Sequence, residues 1–407
     1  MIYFISAELD GFHGGSRSAV DVLEHLLGLA TDLTVVSRGR CSIPDGHLDG
    51  AVETRLRWLT PPPTKAGVRA RAKPLRYWIG WTRALPKQLV AQLSMNAYLN
   101  RLPPAVAIQN GFPDPNSYAT RVYERARRRV MIVRSSPEAV TFFQRHKKEL
   151  TVDWVATQLA VAHVLIFVSP QIRDSWSEIA DISHVDQHVL PNTCREDDAA
   201  AVLSMSREAL RASLDLPRNA FIAVCVAKID PGKGQDTLVE ALPGMVQAVP
   251  NLILLLVGKD NSPWAAKLKG TIHDLGLDEH VSFTGARTNP YAFISASDLM
   301  IHPSRAEGHS RVVLEAMLLR TPVLASQVAG VPSIAHGETG WLVPADDHVA
   351  LLDAFVTLAG DQQLRRQLAD NAEREYWRSF SRQEYRKRFQ AIFQGLVETD
   401  RPAALRP

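Results

Sequence analysis

Short apolar runs alternate with helix-length amphipathic segments along most of this chain. In the first half the runs are IYFIS (2–6), LTVVS (33–37), AVAIQ (105–109), RVMIV (129–133) and HVLIFVS (163–169). They are apolar throughout and rich in β-branched residues, the pattern of strands covered on both faces. A second series repeats the rhythm: FIAVCVA (221–227), LILLLVG (252–258), VSFTG (281–285), DLMIHPS (298–304) and PVLAS (322–326). Strand and helix in alternation predict parallel sheets covered by helices. Between the two series LPNTCREDDAA (190–200) turns abruptly polar. The chain therefore reads as α/β, with two doubly wound, Rossmann-like domains over residues 1–195 and 196–379 and an interdomain cleft. The stretch FSRQEYRKRFQAIFQGLVE (380–398) has apolar residues at helical spacing and is placed to pack back on the first domain.

One segment breaks the rhythm. In TPPPTKAGVRARAKPLRYWIGW (60–81) a proline run precedes Arg69, Arg71, Lys73 and Arg76, interleaved with Tyr77, Trp78 and Trp81. Such a segment is either a loop over the cleft or, through residues 65–81, a basic and aromatic patch for anionic lipid headgroups.

Length and composition narrow the classes further. A chain of 407 residues is too long for one ordinary core. A formal charge of +3 from nearly balanced acids and bases gives no reason to expect nucleic acid. The three cysteines, Cys41, Cys194 and Cys225, stand far apart without a CxxC pair, which points to a reducing cytoplasm and no structural zinc. The amino terminus lacks the basic flank and long apolar region of a signal peptide, and no run reaches the roughly 18 apolar residues of a membrane span.

Candidate chemistry gathers at strand ends. Gly14 and Gly15 stand just before a helix whose first turn offers Ser16 and Ser18, so backbone there can approach an anion closely. The motif is not GxGxxG, and a dinucleotide enzyme would need that fingerprint and a ribose-binding acid after the first strand. In AKIDPGKGQDTLVEAL, Lys228 and Lys233 flank a Pro-Gly turn directly after a strand. Two cations at that edge suit a diphosphate without a metal. Gly258 and Arg287 end the next two strands on the same edge. In AEGHSRVVLEAM (306–317), Glu307 and Glu315 are eight positions apart, about 12 Å and near one face if both were helical. Gly308, His309 and Ser310 place Glu307 in the loop before a 310–319 helix and Glu315 two turns up it. That spacing suits two carboxylates gripping separate parts of one extended ligand; the alternative is a solvated helix face.

The block DLMIHPSRAEGHSRVVLEAMLLRTPVLASQVAGVPSIAHGETGWLVPADD (298–347) resembles the donor-binding signature of the retaining glycosyltransferases of GT-B fold called family 4, or glycosyl transferases group 1. Pro-Ser, a glutamate, seven residues, a second glutamate followed by Ala-Met, Pro-Val, a glycine-rich turn and Thr-Gly-x-Leu-Val occur in order. KIDPGKG and LPNTC extend the likeness. By position it implies that Glu307 holds donor-sugar hydroxyls, Glu315 the ribose, and Lys228 and Lys233 the diphosphate. Gly14, Gly15, Gly258, Arg287, Gly308, His309, Ser310, Arg311 and Val312 complete the implied donor side. His13 either positions the acceptor, stabilises ring charge or is structural. His309, Ser310 and Arg311 replace the usual Phe-Gly-Leu, and Arg134, Ser135 and Ser136 stand where relatives carry a histidine. The resemblance implies a cytoplasmic, or peripherally membrane-bound, hexosyltransferase (EC 2.4) in glycan, polysaccharide or glycolipid assembly. It would take UDP- or GDP-sugars to a glycan or lipid-linked acceptor with neither metal nor other cofactor. The alternatives are a nucleotide-sugar epimerase of the same architecture and a non-catalytic sugar-binding protein.

Overall fold

The computed structural model describes residues 2–6, 14–29, 33–37, 56–59, 106–112, 118–144, 150–287, 289–331 and 333–398. Two parallel sheets form the molecule. The first runs β3-β2-β1-β4-β5-β6-β7, from β1 (Ile2–Ser6), β2 (Leu33–Ser37), β3 (Leu56–Leu59), β4 (Val106–Asn110), β5 (Arg128–Val133), β6 (Val164–Phe167) and β7 (Asp186–Val189). The second runs β10-β9-β8-β11-β12-β13, from β8 (Phe221–Val226), β9 (Leu252–Val257), β10 (Val281–Gly285), β11 (Leu299–His302), β12 (Val323–Ser326) and β13 (Trp341–Val343).

Each sheet reverses its winding once. β1 pairs with both β2 and β4, Ile2 standing opposite Leu33 on one side and Val106 on the other. In the second sheet β8 lies between β9 and β11. Ligands of open α/β sheets bind beyond the carboxyl ends of the strands at such reversals. The first sheet therefore presents Ser6 and Asn110 there, and the second presents the segments after Val226 and His302.

The first-domain helices are α1 (Gly14–Leu29), α2 (Tyr118–Arg125), α3 (Pro137–Gln144), α4 (Val152–Ala160) and α5 (Pro170–Ser177). Then follow α6 (Glu196–Leu203), α7 (Arg207–Ser213), α8 (Gln235–Ala248), α9 (Pro263–Asp274), α10 (Tyr291–Ala296) and α11 (Arg311–Leu318). The chain ends in α12 (His348–Gly360), α13 (Gln362–Ser379) and α14 (Arg382–Glu398). Thr151, Ser169, Ser206, Ser262, Asp347 and Asp361 cap six of these with side-chain oxygens, satisfying amides the helix cannot.

Burial follows the apolar runs. Every residue of β1, β4 and β6 is buried, as both faces of a helix-covered parallel sheet require. Distinct apolar clusters cover the second sheet, one with α11 and Tyr376, the other with α8, α12 and Phe355. α14 inserts Tyr385, Phe389, Phe393 and Leu396 into the first-domain core, and the Phe389 and Phe393 rings stack at 4.2 Å. Among the described residues, α14 thus packs the segment after the second domain into the first-domain core. Each such buried large side chain contributes about 1.5–3 kcal/mol relative to exposure.

Three strands lie outside the apolar runs: β3, β7 (DQHV) and β13 (WLV). All are edge strands of three or four residues. A short edge strand has one neighbour and tolerates polar residues. Among the described residues no helix is long and apolar enough to cross a membrane.

Candidate active site

The site is assembled at the reversal of the second sheet. After β8, the Asp230 carboxylate accepts a hydrogen bond from the Gly232 amide (3.1 Å), closing a short 3-10 turn, Pro231–Lys233. Gly234 then takes φ +65°, with an added Cβ only 1.9 Å from the Pro303 carbonyl. Only glycine fits both demands, and so the turn lies hard against the end of β11. Arg305 braces it from the other strand, its guanidinium forked onto Asp236 at 2.9 Å twice and hydrogen-bonded to the Pro231 carbonyl. This bracing aims Lys233 across the reversal.

Beyond β11 three donors converge on one oxygen. Lys233 Nζ (2.7 Å), Ser304 Oγ (2.7 Å) and His302 Nε2 (3.1 Å) all meet Glu307 Oε1. Burial alone would push this carboxyl up, but Lys233 and His302 outweigh it and hold Glu307 well below the usual carboxylate range. Among the described residues no hydrogen bond reaches Oε2, and the side chain keeps 13% exposure. Oε1 is thus saturated, and Oε2 has no hydrogen-bond partner among the described residues. His302 Nε2 also meets Ser310 Oγ at 3.1 Å, linking the cluster to the start of α11.

Ser310 is the N-cap of α11 but makes no side-chain cap bond, and the first turn carries no acid. Its partial positive charge is therefore not offset by an acid of its own first turn. Lys228 lies farther out, 47% exposed and paired with Asp230 at 3.0 Å. Among the described residues no group of three or more His, Cys, Asp or Glu is arranged to hold a metal ion.

Several expected residues take other positions. Glu315 is 1% exposed and stands four residues beyond Arg311, the first helical residue, so it lies about one turn up α11 rather than two. Neither glutamate belongs to a solvated face. The His309 ring is buried against the linker: Nδ1 accepts from the Asn192 amide (3.2 Å), and Asn192 Nδ2 donates to the His309 carbonyl (2.8 Å). Burial, helped by Arg311 and Arg134, pushes its pKa down to about 3. The Arg311 side chain is engaged with Asp21 of α1. The Arg311 guanidinium is thereby committed to the first domain, whereas His309 Nε2 has no hydrogen-bond partner among the described residues. Arg287 lies over the Phe293 ring, 5.5 Å from its centroid, and the Gly258 amide donates to Gly285 O (3.0 Å). Gly14 and Gly15 open α1 itself instead of preceding it. Val312 is half-buried within α11. His13, Cys41 and the 65–81 segment lie outside the described residues.

The first domain meets this loop directly. A Cβ on Gly308 would fall 1.6 Å from the Arg134 carbonyl, so the chain passes there only as glycine. The Arg134 side chain donates to Asn110 (2.6 Å), Asn192 (3.1 Å) and the Ser18 carbonyl (3.4 Å). It is a brace, where relatives of the resemblance carry a histidine. His302, Ser304, Asn192, Asp21 and Arg134 escaped the motif reading as site residues. Of these, Asn192 and Ser304 lie within the quoted motifs, Arg134 stands at the histidine position, and His302 is a polar residue closing an apolar strand run.

Comparison with known proteins places this arrangement. Residues 206–375 match the family of glycosyl transferases group 1. The match contains Lys228, Lys233, His302, Glu307 and Glu315. Over 181 residues, 43% of its length, the chain is 32% identical to the D-inositol 3-phosphate glycosyltransferase of Corynebacterium efficiens, covering 42% of that protein. Over 211 residues, 49% of its length, it is 32% identical to the GDP-mannose-dependent alpha-(1-6)-phosphatidylinositol monomannoside mannosyltransferase of Mycolicibacterium smegmatis, covering 53% of it. The chain thus spans about half the length of these relatives. The whole fold is shared more widely. Sucrose-phosphate synthase of Thermosynechococcus elongatus superposes with a TM-score of 0.74 at 22% identity, covering 98% of this chain and 99% of that one. HepE of Anabaena, solved with UDP-glucose, gives 0.71 at 20% identity, covering 97% and 99%. The fold is GT-B.

Proposed function

We propose that this protein is a retaining glycosyltransferase that moves a hexose from a UDP- or GDP-sugar to an acceptor hydroxyl in glycan, polysaccharide or glycolipid assembly. The observation that carries the reading is the Glu307 carboxylate, with three partners on Oε1 and none on Oε2 among the described residues, at the sheet reversal inside the matched segment. Relatives named for GDP-mannose and a fold neighbour solved with UDP-glucose support a nucleotide-sugar donor.

Each group has a task in that reaction. Glu307 Oε2 accepts hydroxyls of the donor sugar, and Lys233 with His302 keeps it ionised. Glu315 serves the ribose. Bond breaking builds negative charge on the diphosphate, which Lys233, Lys228 and the amino end of α11 stabilise without a metal. The leaving phosphate oxygen takes the acceptor proton, so retention needs no separate protein base. An epimerase would instead need an acid facing the sugar, and Glu307 is held as a carboxylate. Contact of the 65–81 segment with anionic lipid remains part of the proposal for lipid-linked acceptors. It is tested by flotation with anionic vesicles at low and high salt.

The test is transfer from labelled UDP- and GDP-hexoses to a panel of glycan and lipid-linked acceptors, with the product's anomeric configuration read by NMR. Retained configuration in a transferred product supports the reading. Inversion, or epimerised donor without transfer, overturns it.

A further inference from the structure

Among the described residues, a buried ion pair links the second domain to the first. Arg311 is the first residue of α11 and stands four positions after Glu307. Its Nη1 meets the Asp21 carboxylate and, at 3.4 Å, the Ser18 hydroxyl, both on α1 of the first domain. The two side chains are 5% and 10% exposed. Burial opposes the charge, yet Asp21 and Glu315 are among the groups that hold the Arg311 guanidinium in its charged form. Beside it Asn192 donates two hydrogen bonds to His309, and Gly308 lies on the Arg134 carbonyl.

A charge-assisted bond in a dry site is directional, so it fixes register where an apolar contact would slide. Its net energy is small, because closing the pair removes two charges from water as it joins them. Such a contact adds orientation more than binding energy. Removing one partner leaves the other charge buried and uncompensated, whereas removing both leaves neither.

From this geometry we infer that Arg311 and Asp21 are positioning residues, which set the angle between the domains and so hold the Glu307 cluster at the correct distance from the first-domain face. The inference rests on the glycosyltransferase reading for its kinetic consequence only, since its structural consequence is independent of any reaction.

The experiment compares wild type with Arg311→Leu, Asp21→Leu, the double variant and Arg311→Lys. Thermal unfolding, small-angle X-ray scattering with and without nucleoside diphosphate, nucleotide affinity and transfer kinetics are read together. Each single leucine variant melts lower than the double, which restores most of the loss. In the double variant kcat falls at least about tenfold while nucleoside diphosphate affinity stays within about twofold, and scattering gives a more open or broader distribution. Arg311→Lys keeps transfer that Arg311→Leu loses. Wild-type scattering and wild-type kcat in the double variant would overturn the inference. If wild type neither binds nucleotide nor transfers sugar, the functional reading fails, and melting and scattering alone decide the role of the pair.

Discussion

The two sheets end on the same cleft and use their polar residues in opposite ways. At the reversal of the second sheet, Lys233, His302 and Ser304 meet one oxygen of Glu307, and among the described residues none bonds the other. At the reversal of the first, Asn110 donates to Ser6 (3.3 Å), and Arg134 spends its donors on Asn110, Asn192 and Ser18. Among the described residues one edge leaves a carboxylate oxygen unpaired, while the Arg134 guanidinium at the other is fully engaged. An unfinished set of buried, charged donors is an invitation to a ligand, whereas a finished set holds backbone in place. In the described part of the first domain, Asn110 and Arg134 hold backbone and linker in place, whereas the second domain carries the Glu307 cluster proposed to meet the donor.

The sharpest break in that contrast is Arg134→Ala. It would leave the Asn110 and Asn192 oxygens without their donor and open space in a buried site, at a cost of about 3 kcal/mol or more in stability. Urea unfolding measures it, and nucleotide affinity should be unchanged within about twofold. Loss of nucleotide binding with stability intact would mean that the first-domain edge also contacts the donor.

Glu315→Gln acts on the opposite side of the comparison. Nucleoside diphosphate affinity should fall by about 1.5–3 kcal/mol, the usual range for hydrogen bonds to a charged group, as read by calorimetry with melting as the control for folding. Equal affinity in both proteins would remove the ribose role.

His309 sits between the two edges and predicts a pH dependence. Folded, it takes up a proton only near pH 3; unfolded, it does so near 6.5. Stability from this group is therefore complete above about pH 6.5 and is lost as pH falls toward 3, by at most about 1.4 kcal/mol per pH unit. His309→Phe should flatten that acid slope. An unchanged slope would assign the acid sensitivity elsewhere. The smallest effect is expected from a chelator: excess EDTA should change UDP or GDP affinity less than about twofold, because Lys228, Lys233 and α11 supply the positive charge. Complete loss of binding would require a metal.

Legibility in the sequence follows the range of the interactions. The buried strands could be read because a helix-covered parallel strand must be apolar along its length, as LILLLV is. β7, with DQHV, could not, because an edge strand escapes that demand. The Glu307 and Glu315 spacing was legible as motif, but the helix starts at Arg311, which moved Glu315 one turn closer to the loop. The Asp21 partner of Arg311 is 290 positions away, and the Asn192 partner of His309 is 117 away. No local pattern encodes such pairs; the folding of both domains brings them together. His302 was in view but hidden, since a histidine at the end of an apolar run reads as the last residue of a strand.

The central claim is that Glu307 holds the sugar and Glu315 the nucleotide. Titration of wild type, Glu307→Gln and Glu315→Gln with both the nucleoside diphosphate and a non-hydrolysable nucleotide sugar tests it most directly. In Glu307→Gln the affinity for the diphosphate should stay within about threefold of wild type, while the added affinity contributed by the sugar falls about 10- to 100-fold. In Glu315→Gln both ligands should weaken together. A Glu307→Gln protein that loses diphosphate and nucleotide sugar equally, or loses neither, would contradict the account.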